Sequence, residues 1–278
     1  MHTIGLVDLT GALDYTPESG DGWKLIRLAV KRGNVSRSAL STQLTAIAFL
    51  GSSIKRDQLA EKALLDGKHV LVDFPTSLTV ENARKIGAIA NETGLCVYSP
   101  NLLNYEPGFR EVKRINASTG SMTSLTVNCG VSERLISPEF STKLVQLLDV
   151  MEWLEESKIR SISAEKCKGR SGASALVALV SFANSTKGML NLYSSPSARH
   201  RLWVDVVFKE SFLHIDPYAQ SIRITSFQGK AVEELNWASS PLISLVEDFT
   251  AQIKQGKQQL DLVNLERLLK LAASVIAR

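Results

Sequence analysis

The sequence is poor in the features that mark secreted, membrane-bound and metal-binding proteins. It has three cysteines in 278 residues, Cys96, Cys129 and Cys167, and they form no CxxC or Cys/His pattern. Widely spaced cysteines in odd number argue against a disulfide scaffold or a zinc site and are typical of a reducing compartment. The chain shows no signal-peptide pattern, and no apolar run approaches the roughly 18 residues of a spanning helix. We therefore expect a cytoplasmic protein with no membrane partner and no metal.

The charge balance is too even to indicate a nucleic-acid-binding protein. The 32 basic and 28 acidic residues leave a formal net charge of +4. A basic cluster at residues 24–37 alternates with Trp23, Ile26 and Val30, as on a solvated helix face. With 44% hydrophobic and 22% charged residues the composition is that of an ordinary globular protein. The length suffices for two modest domains.

The first half of the chain alternates strand and helix patterns. We predict strands at residues 3–9, 45–50, 68–72 and 95–98, and helices at 23–32, 56–65 and 80–91. This alternation favours right-handed βαβ units and a parallel sheet. Ligands of such sheets bind beyond the carboxyl ends of the strands. The candidate binding residues there are Gly51, Ser52, Asp73 and Pro75.

The second half becomes rich in strands. After a helix at residues 141–153, strands are predicted at 175–182, 188–193, 202–209, 211–215 and 221–227, followed by helices at 242–254 and 262–277. Their patterns indicate a largely antiparallel sheet with one covered face. The predicted fold class is therefore α/β: a shortened Rossmann-like parallel sheet in residues 1–118, then an α+β domain with an open, mostly antiparallel sheet in residues 119–278. The last helices are compatible with packing back on the first domain.

Residues 46–115 resemble the Gfo/Idh/MocA oxidoreductase family. Family members carry a segment like GKHVLCEKPL after a strand, a small-residue turn and a helix, and here residues 67–78 read GKHVLVDFPTSL. The Gly94 turn and Asn101 follow in the same order, and residues 242–277 resemble the family's closing helices. The acid, aromatic and proline at 73–75 are most similar to the KHVLVEYP of biliverdin reductases. The resemblance implies a dinucleotide-binding half followed by an open-sheet half.

The phosphate loop that the resemblance implies is degraded. Family members carry Gly-x-Gly-x-x-Gly after the first strand, where glycines let the backbone approach a pyrophosphate. Here residues 5–11 read GLVDLTG, which places Asp8 at or near the first glycine, where its carboxylate would repel phosphate. The alternative is a surface or capping role for Asp8. Between Val7 and Ala46 there is room for one helix and a loop, so we expect the second strand–helix unit and the adenosine half of the site to be deleted.

The resemblance also implies that the catalytic residues are replaced. The family's lysine of Glu-Lys-Pro, which polarises or relays a proton, is replaced by Phe74, which has no proton to give. Thr142 aligns with a family aspartate and Gln146 with a family histidine, and glutamine cannot titrate. Lys143 could supply a proton, or it could lie on an exposed helix face. No catalytic residue is therefore assigned.

Three polar residues lie at the end of the fourth predicted strand or shortly after it, namely Tyr98, Asn101 and Tyr105. They are candidates for a retained substrate pocket, or they belong to a packed face between the domains. The family counterpart of His69 is structural. His200 and His214 have no acidic partner at a motif spacing.

Two functions remain open. The first is a binding or regulatory protein of oxidoreductase fold, without NAD(P) or catalysis, that takes a small molecule in the interdomain cleft. The second is an NAD(P)H-dependent oxidoreductase resembling biliverdin reductase. The resemblance further implies a homodimer through the outer face of the second sheet, where residues 202–208 place Trp203, Asp205 and Val207 opposite the core-facing side chains.

Overall fold

The computed structural model describes residues 2–8, 19–20, 22–28, 30–31, 34–35, 43–51, 55–119, 122–131, 137–168, 174–194, 201–228, 232–238, 240–256 and 260–277. Within these ranges no helix is long and apolar enough to cross a membrane. The chain forms two compact units. The first comprises Met1–Leu102 and Leu242–Arg267, and the second comprises Leu103–Pro241 and Leu268–Arg278.

The described elements are numbered here in chain order. The strands are β1 (His2–Asp8), β2 (Ser19–Gly20), β3 (Trp23–Arg27), β4 (Val30–Lys31), β5 (Asn34–Val35), β6 (Ala46–Leu50), β7 (His69–Val72), β8 (Val97–Tyr98), β9 (Met122–Val131), β10 (Ile159–Lys168), β11 (Ser174–Phe182), β12 (Lys187–Ser194), β13 (Arg201–Phe208), β14 (Ser211–Asp216), β15 (Ser221–Ser226) and β16 (Val232–Asn236). The helices are α1 (Arg56–Leu65), α2 (Val80–Thr93), the 3-10 helix η1 (Leu102–Tyr105), α3 (Pro107–Thr119), α4 (Pro138–Glu155), α5 (Pro241–Gln255) and α6 (Leu262–Ile276). The domain boundary expected near residue 118 lies at the end of α3, inside the second unit.

The first unit is built on a sheet of order β2-β3-β1-β6-β7-β8, in which β2 is antiparallel and the other five strands are parallel. All five residues of β6 are buried, as expected for a strand covered on both faces. Thr79 caps α2 by accepting the Asn82 amide at 3.2 Å, and Gly94 ends the helix at a φ of 68°. The predicted parallel α/β arrangement is confirmed.

The helix predicted for residues 23–32 is wrong. Residues 23–27 form β3, which pairs in parallel with β1 so that Trp23 lies opposite His2 and Arg27 opposite Leu6. The spacing of Trp23 and Ile26 suits a helix, but the observed burial alternates, with Trp23 and Leu25 buried and Lys24 exposed. Pairing with β1 satisfies the backbone of both strands, and this tertiary gain overrides the local pattern. The second strand that we expected to be deleted is therefore present.

The second unit contains an eight-stranded sheet of order β10-β11-β12-β9-β13-β14-β15-β16. The β12–β9 pair is parallel and the other pairs are antiparallel, which confirms a mostly antiparallel sheet. In β13, Val204, Val206 and Phe208 are buried and the alternate residues are not, as predicted. The central strand β9 was missed, because its threonines, serine and asparagine interrupt the apolar run.

One face of this sheet, the inner face, is covered by helices of the same unit. Met151 of α4 lies against Gly188 of β12, where an added Cβ would come within 2.9 Å of its methyl carbon. Ile215 of β14 lies similarly close to Gly108 of α3. The turn after α4 is fastened by Glu152, whose carboxylate accepts the Ile159 amide at 2.7 Å. The opposite, outer face carries the residues that alternate with the core.

Candidate functional site

The carboxyl edge of the parallel sheet brings together several of the residues predicted from the sequence. β6 ends at Gly51, whose φ of 83° is a conformation that favours glycine. The segment after β7 keeps backbone hydrogen bonds to the segments on either side. The Asp73 amide donates to the Phe49 carbonyl at 3.1 Å, and the Phe74 amide donates to the Pro100 carbonyl at 3.0 Å. Ser52 lies outside the described residues. Gly51, Asp73 and Pro75 thus share one edge, as expected for residues that follow adjacent parallel strands.

Arg56, which sequence analysis did not single out, organises this edge. Its guanidinium donates to the carbonyl oxygens of Gly51 at 3.1 Å, Asp73 at 3.2 Å and Thr76 at 3.3 Å, and also to that of Pro75. Burial lowers the pKa of Arg56, and the nearby Asp73 and Asp57 charges oppose that effect. We call Gly51, Arg56, Asp73, Pro75 and Thr76 the edge cluster. Its backbone carbonyl oxygens accept hydrogen bonds from Arg56, a side chain of the protein itself.

The two acids beside Arg56 are also engaged within the unit. The Asp73 carboxylate accepts the Leu102 amide at 3.3 Å, and Asp73 is buried. Asp57 accepts the Ser77 hydroxyl at 2.6 Å and the Asn82 side-chain amide at 3.0 Å. These contacts tie the segment after β7 to α1 and α2, which makes both acids part of the scaffold.

Phe74 lies between these fixed neighbours. It is buried, and its phenyl ring has no ionisable proton. At the column where the resemblance places a lysine, the chain therefore offers an apolar ring. Asp8 is the last residue of β1 and lies opposite Leu50 of β6, but its side chain and residues 9–18 lie outside the described part of the structure.

Two of the proposed pocket residues belong to the first unit. The Tyr98 ring is buried and stacks on Phe249 of α5, with ring centroids 6.2 Å apart and planes at 7°. Asn101 is also buried. Tyr98 therefore contributes to packing within the unit, where the sequence left a pocket and a packed face as equal alternatives. The predicted structural role of His69 agrees with its contact, because its Nδ1 accepts the Cys96 amide at 2.9 Å.

The other candidates lie in the second unit. Tyr105 is buried beneath the Arg110 guanidinium, whose carbon is 4.8 Å from the ring centroid. The Thr142 hydroxyl donates to the Pro138 carbonyl at 3.0 Å, within its own helix. Lys143 is half-buried, and its Nζ donates to Gln146 Oε1 at 3.4 Å. At the positions aligned with the family's aspartate and histidine, the chain thus has a threonine bonded within its own helix and a glutamine.

Glu106, at the junction of η1 and α3, adds a titratable group that sequence analysis missed. Burial raises its pKa to about 7, and the charge of Lys143 partly opposes the increase. The position directly before a proline at a helix start is ordinarily the N-cap, so the sequence gives no signal of a titrating group there. We call Glu106, Lys143 and Gln146 the α3–α4 cluster. A carboxyl group that titrates near neutrality beside an ammonium can hold or exchange a proton.

The outer face of the eight-stranded sheet supplies a further pair. His214 Nδ1 lies 2.6 Å from Asp205 Oδ1 on the neighbouring strand. The sequence showed no acidic partner for His214 because the two residues meet only through strand pairing. His200 lies outside the described residues. In the described part of the chain, no group of three His, Cys, Asp or Glu residues is placed to hold a metal ion.

Solved structures with the same fold are numerous, although sequence comparisons give no match. No family model matches the chain, and no curated protein matches it. A putative NADPH-dependent oxidoreductase from Desulfitobacterium hafniense superposes with a TM-score of 0.72 at 13% identity, covering 99% of this chain and 94% of the other. A UDP-N-acetylglucosamine 3-dehydrogenase from Acidithiobacillus ferrooxidans gives 0.71 at 17% identity, covering 99% and 96%.

Biliverdin reductase from Synechocystis sp. PCC 6803, solved with biliverdin and NADP+, gives a TM-score of 0.67 at 13% identity and covers 99% of both chains. At these identities the likeness establishes the fold. The chain therefore has the two-domain fold of Gfo/Idh/MocA-type oxidoreductases, as the sequence resemblance implied.

Proposed function

We propose that this chain is a small-molecule-binding protein of oxidoreductase fold that has lost ordinary NAD(P) binding and hydride transfer. The observation that carries the proposal is Phe74, a buried apolar ring at the column where the resemblance places the proton-handling lysine. Gln146 supports the same proposal, because a glutamine amide stands where the aligned histidine would act as acid or base. Because both residues are replaced, the family's proton transfer cannot take place at positions 74 and 146.

The edge cluster supports the loss of cofactor binding. The carbonyl oxygens of Gly51, Asp73 and Pro75 accept from Arg56, and the Asp73 carboxylate accepts from Leu102. A dinucleotide recognised through these groups would have to replace hydrogen bonds that they already make within the protein, at the cost of leaving the Arg56 charge less compensated. These contacts support the proposed loss of ordinary NAD(P) binding, and we derive no catalytic step through the cofactor.

A cofactor titration tests this proposal. We expect no saturable change in NADH or NADPH fluorescence at micromolar concentrations, with the Synechocystis biliverdin reductase, solved with NADP+, as the positive control. The variant Asp8→Gly removes the carboxylate expected to repel phosphate and should recover weak binding. A micromolar dissociation constant for the unaltered chain would overturn the proposal, and full recovery in Asp8→Gly would show that the adenosine half of the site is intact.

A second candidate is an NAD(P)H-dependent oxidoreductase with an unusual proton donor. Two observations favour it: β3 supplies the second parallel strand beside β1, and Glu106 titrates near neutral pH. Under this alternative the nicotinamide cofactor binds and Glu106→Gln abolishes turnover without weakening cofactor binding. Under the main proposal neither cofactor binds, so the same titration separates the two.

We also propose a homodimer formed through the outer face of the eight-stranded sheet. This face carries Leu179, which is 63% exposed, and Val177, which is 37% exposed, and Leu179 pairs across strands with the half-buried Met189. Trp203 lies on the same face and packs on Tyr193, with ring centroids 6.0 Å apart. A second copy of the chain would remove this apolar strip from water.

Sedimentation equilibrium at micromolar concentration tests the dimer. Leu179→Asp places a charge on the exposed strip and should yield monomers with the stability of the unaltered chain. Leu65→Asp is the matched control, since Leu65 is 69% exposed on α1 of the other unit. A monomeric mass for the unaltered chain, or a dimer that survives Leu179→Asp, would rule out this pairing.

A further inference from the structure

We propose that the homodimer is regulated by pH, because each subunit takes up a proton on His214 when the outer faces of two eight-stranded sheets meet. This inference rests on the dimer proposed above and deepens it, since it assigns a control to the same interface. The two can fail separately: a monomeric chain contradicts both, whereas a dimer whose affinity is constant with pH contradicts only the inference.

His214 and Asp205 form a hydrogen-bonded pair on the outer face. Nδ1 of His214 lies 2.6 Å from Oδ1 of Asp205, and the two residues are directly opposite each other on β14 and β13. Their side chains are 41% and 26% exposed, so water still reaches the pair in a single subunit. A carboxylate only accepts hydrogen bonds, so Nδ1 carries a proton and Nε2 is the atom that gains or loses one.

Strand pairing extends this pair into a row of charges across the face. Arg223 of β15 lies opposite His214, and Glu234 of β16 lies opposite Arg223. Both of these side chains are exposed. We call Asp205, His214, Arg223 and Glu234 the charged row. With a neutral imidazole, its two carboxylates and single guanidinium leave one negative charge in excess, whereas with a protonated imidazole the row is neutral.

The other charges near His214 are fixed or distant. Asp216 shares its strand and face, and the Asp216 carboxylate accepts two backbone amides of the following turn at 2.9 Å each. Arg201 and Lys209 are each four residues from Asp205 along the chain, about 13 Å away in an extended strand. The outward side chains of β9, on the far side of β13, are uncharged. The balance of charge at the pair is therefore set by the charged row.

A dimer of ordinary size must reach this pair. A stable interface uses about 20–30 residues of each partner, and a strand of this sheet turns only about four side chains outward. About five to seven neighbouring strands are therefore needed. Counted from the edge strand β10, which lies beside the exposed apolar strip of β11 and β12, such a set ends on β13, β14 or β15. Because the Asp205–His214 pair joins β13 to β14, dimerisation through this face places the pair at or within the interface.

Burial in that interface favours the protonated imidazole. Taking an unbalanced carboxylate out of water costs free energy, and the excess charges of the two copies also repel each other. Protonation of His214 neutralises the charged row and turns the 2.6 Å contact with Asp205 into a charge-assisted hydrogen bond. Histidine changes its charge between about pH 5 and 8. The dimer should therefore take up protons from solution as it forms and become tighter as the pH falls through this range.

Sedimentation equilibrium over a concentration series tests the inference on the unaltered chain. We expect the dissociation constant of the dimer to be at least about tenfold smaller near pH 5.5 than near pH 8. NMR of the histidine rings gives a second readout that does not depend on the affinity. The His214 ring should keep its proton to a higher pH in the dimeric unaltered chain than in Leu179→Asp, the variant designed to be monomeric.

Three variants separate the proton from the packing of the pair. His214→Asn keeps a hydrogen-bond donor for Asp205 but cannot titrate, so the dissociation constant of its dimer should not change between about pH 5.5 and 8. Asp205→Asn removes the excess carboxylate, so it should dimerise more tightly than the unaltered chain near pH 8, whereas a merely structural role for Asp205 predicts weaker association. His2→Asn is the matched control, because His2 is a half-buried histidine on β1 of the other unit, and it should keep the full pH dependence.

Two results would overturn the inference and leave the dimer standing: a dissociation constant that changes less than about twofold between the two pH values, or a pH dependence that persists in His214→Asn. A monomer at both pH values contradicts the inference together with the dimer. Thermal unfolding checks that each variant is folded. If His214→Asn does not fold, or the dimer is too tight to dissociate, the NMR titration decides, because identical titration of His214 in the unaltered chain and in Leu179→Asp rejects the proton uptake.

Discussion

The edge cluster of the first unit and the α3–α4 cluster of the second differ in how their charges are satisfied. Arg56 is buried and donates to four backbone carbonyl oxygens, so its charge is fixed by the fold. Glu106 and Lys143 are half-buried, and the carboxyl group of Glu106 titrates near neutral pH. A charge held by main-chain partners stabilises the structure, whereas a charge held by one side chain remains available to a ligand. The comparison predicts that the edge cluster is structural and that Glu106 responds to pH.

The largest effect should come from breaking the edge cluster. Arg56→Ala leaves the carbonyl oxygens of Gly51, Asp73 and Pro75 without their buried donor, and we expect a loss of about 3–5 kcal/mol in the free energy of unfolding. Denaturant unfolding measures it. A loss below about 1 kcal/mol would mean that water replaces the guanidinium and that the edge is open to ligands.

A fixed acid of the second unit provides the next test. Glu152 is buried, accepts the Ile159 amide at 2.7 Å and pairs with Lys158 at 3.2 Å. Glu152→Ala should cost about 2–3 kcal/mol, because it leaves a buried N–H unsatisfied. The same denaturant titration applies. An unchanged free energy of unfolding would show that even a buried, hydrogen-bonded acid of this unit is dispensable for stability.

The titratable acid should behave in the opposite way. The pKa of Glu106 is raised from 4.5 to about 7, so this group's contribution to stability is fully present below pH 4.5 and is lost as the pH rises through about 7. Glu106→Gln, which stays neutral, should therefore stabilise the protein by about 1–2 kcal/mol near pH 8 and leave it unchanged near pH 4. Unfolding curves of both proteins at the two pH values provide the measurement, and a destabilised variant near pH 8 would show that the ionised carboxylate is fixed after all.

The smallest effect is expected for an exposed pair of the first unit. Lys85 and Glu61 are 2.6 Å apart, with Lys85 60% exposed. Lys85→Ala should change the free energy of unfolding by less than about 1 kcal/mol, since solvent screens the pair. A larger loss would imply that a short distance between opposite charges is enough to fix them, without burial or main-chain partners.

The elements with strong local signals were predictable. Residues 46–50 form an unbroken apolar run, and Thr79 and Gly94 mark the start and end of α2. These features act within a few residues along the chain, so the α/β order and the open second sheet followed from the sequence. Residues 23–27 were not predictable in the same way, because their apolar spacing suits both a helix and a strand, and pairing with β1 decides between them.

The candidate site likewise has properties that follow from the sequence and properties that depend on the tertiary structure. The sequence by itself determined that Phe74 and Gln146 carry no titratable proton, because that property belongs to the residue type. Only the tertiary structure decided that Arg56 closes the sheet edge, that Asp205 meets His214, and that Glu106 titrates beside Lys143. Charge and hydrogen-bonding capacity are set by each residue, but burial and partners arise where distant segments meet, and those determine the pKa of an acid and whether a charge is free to bind.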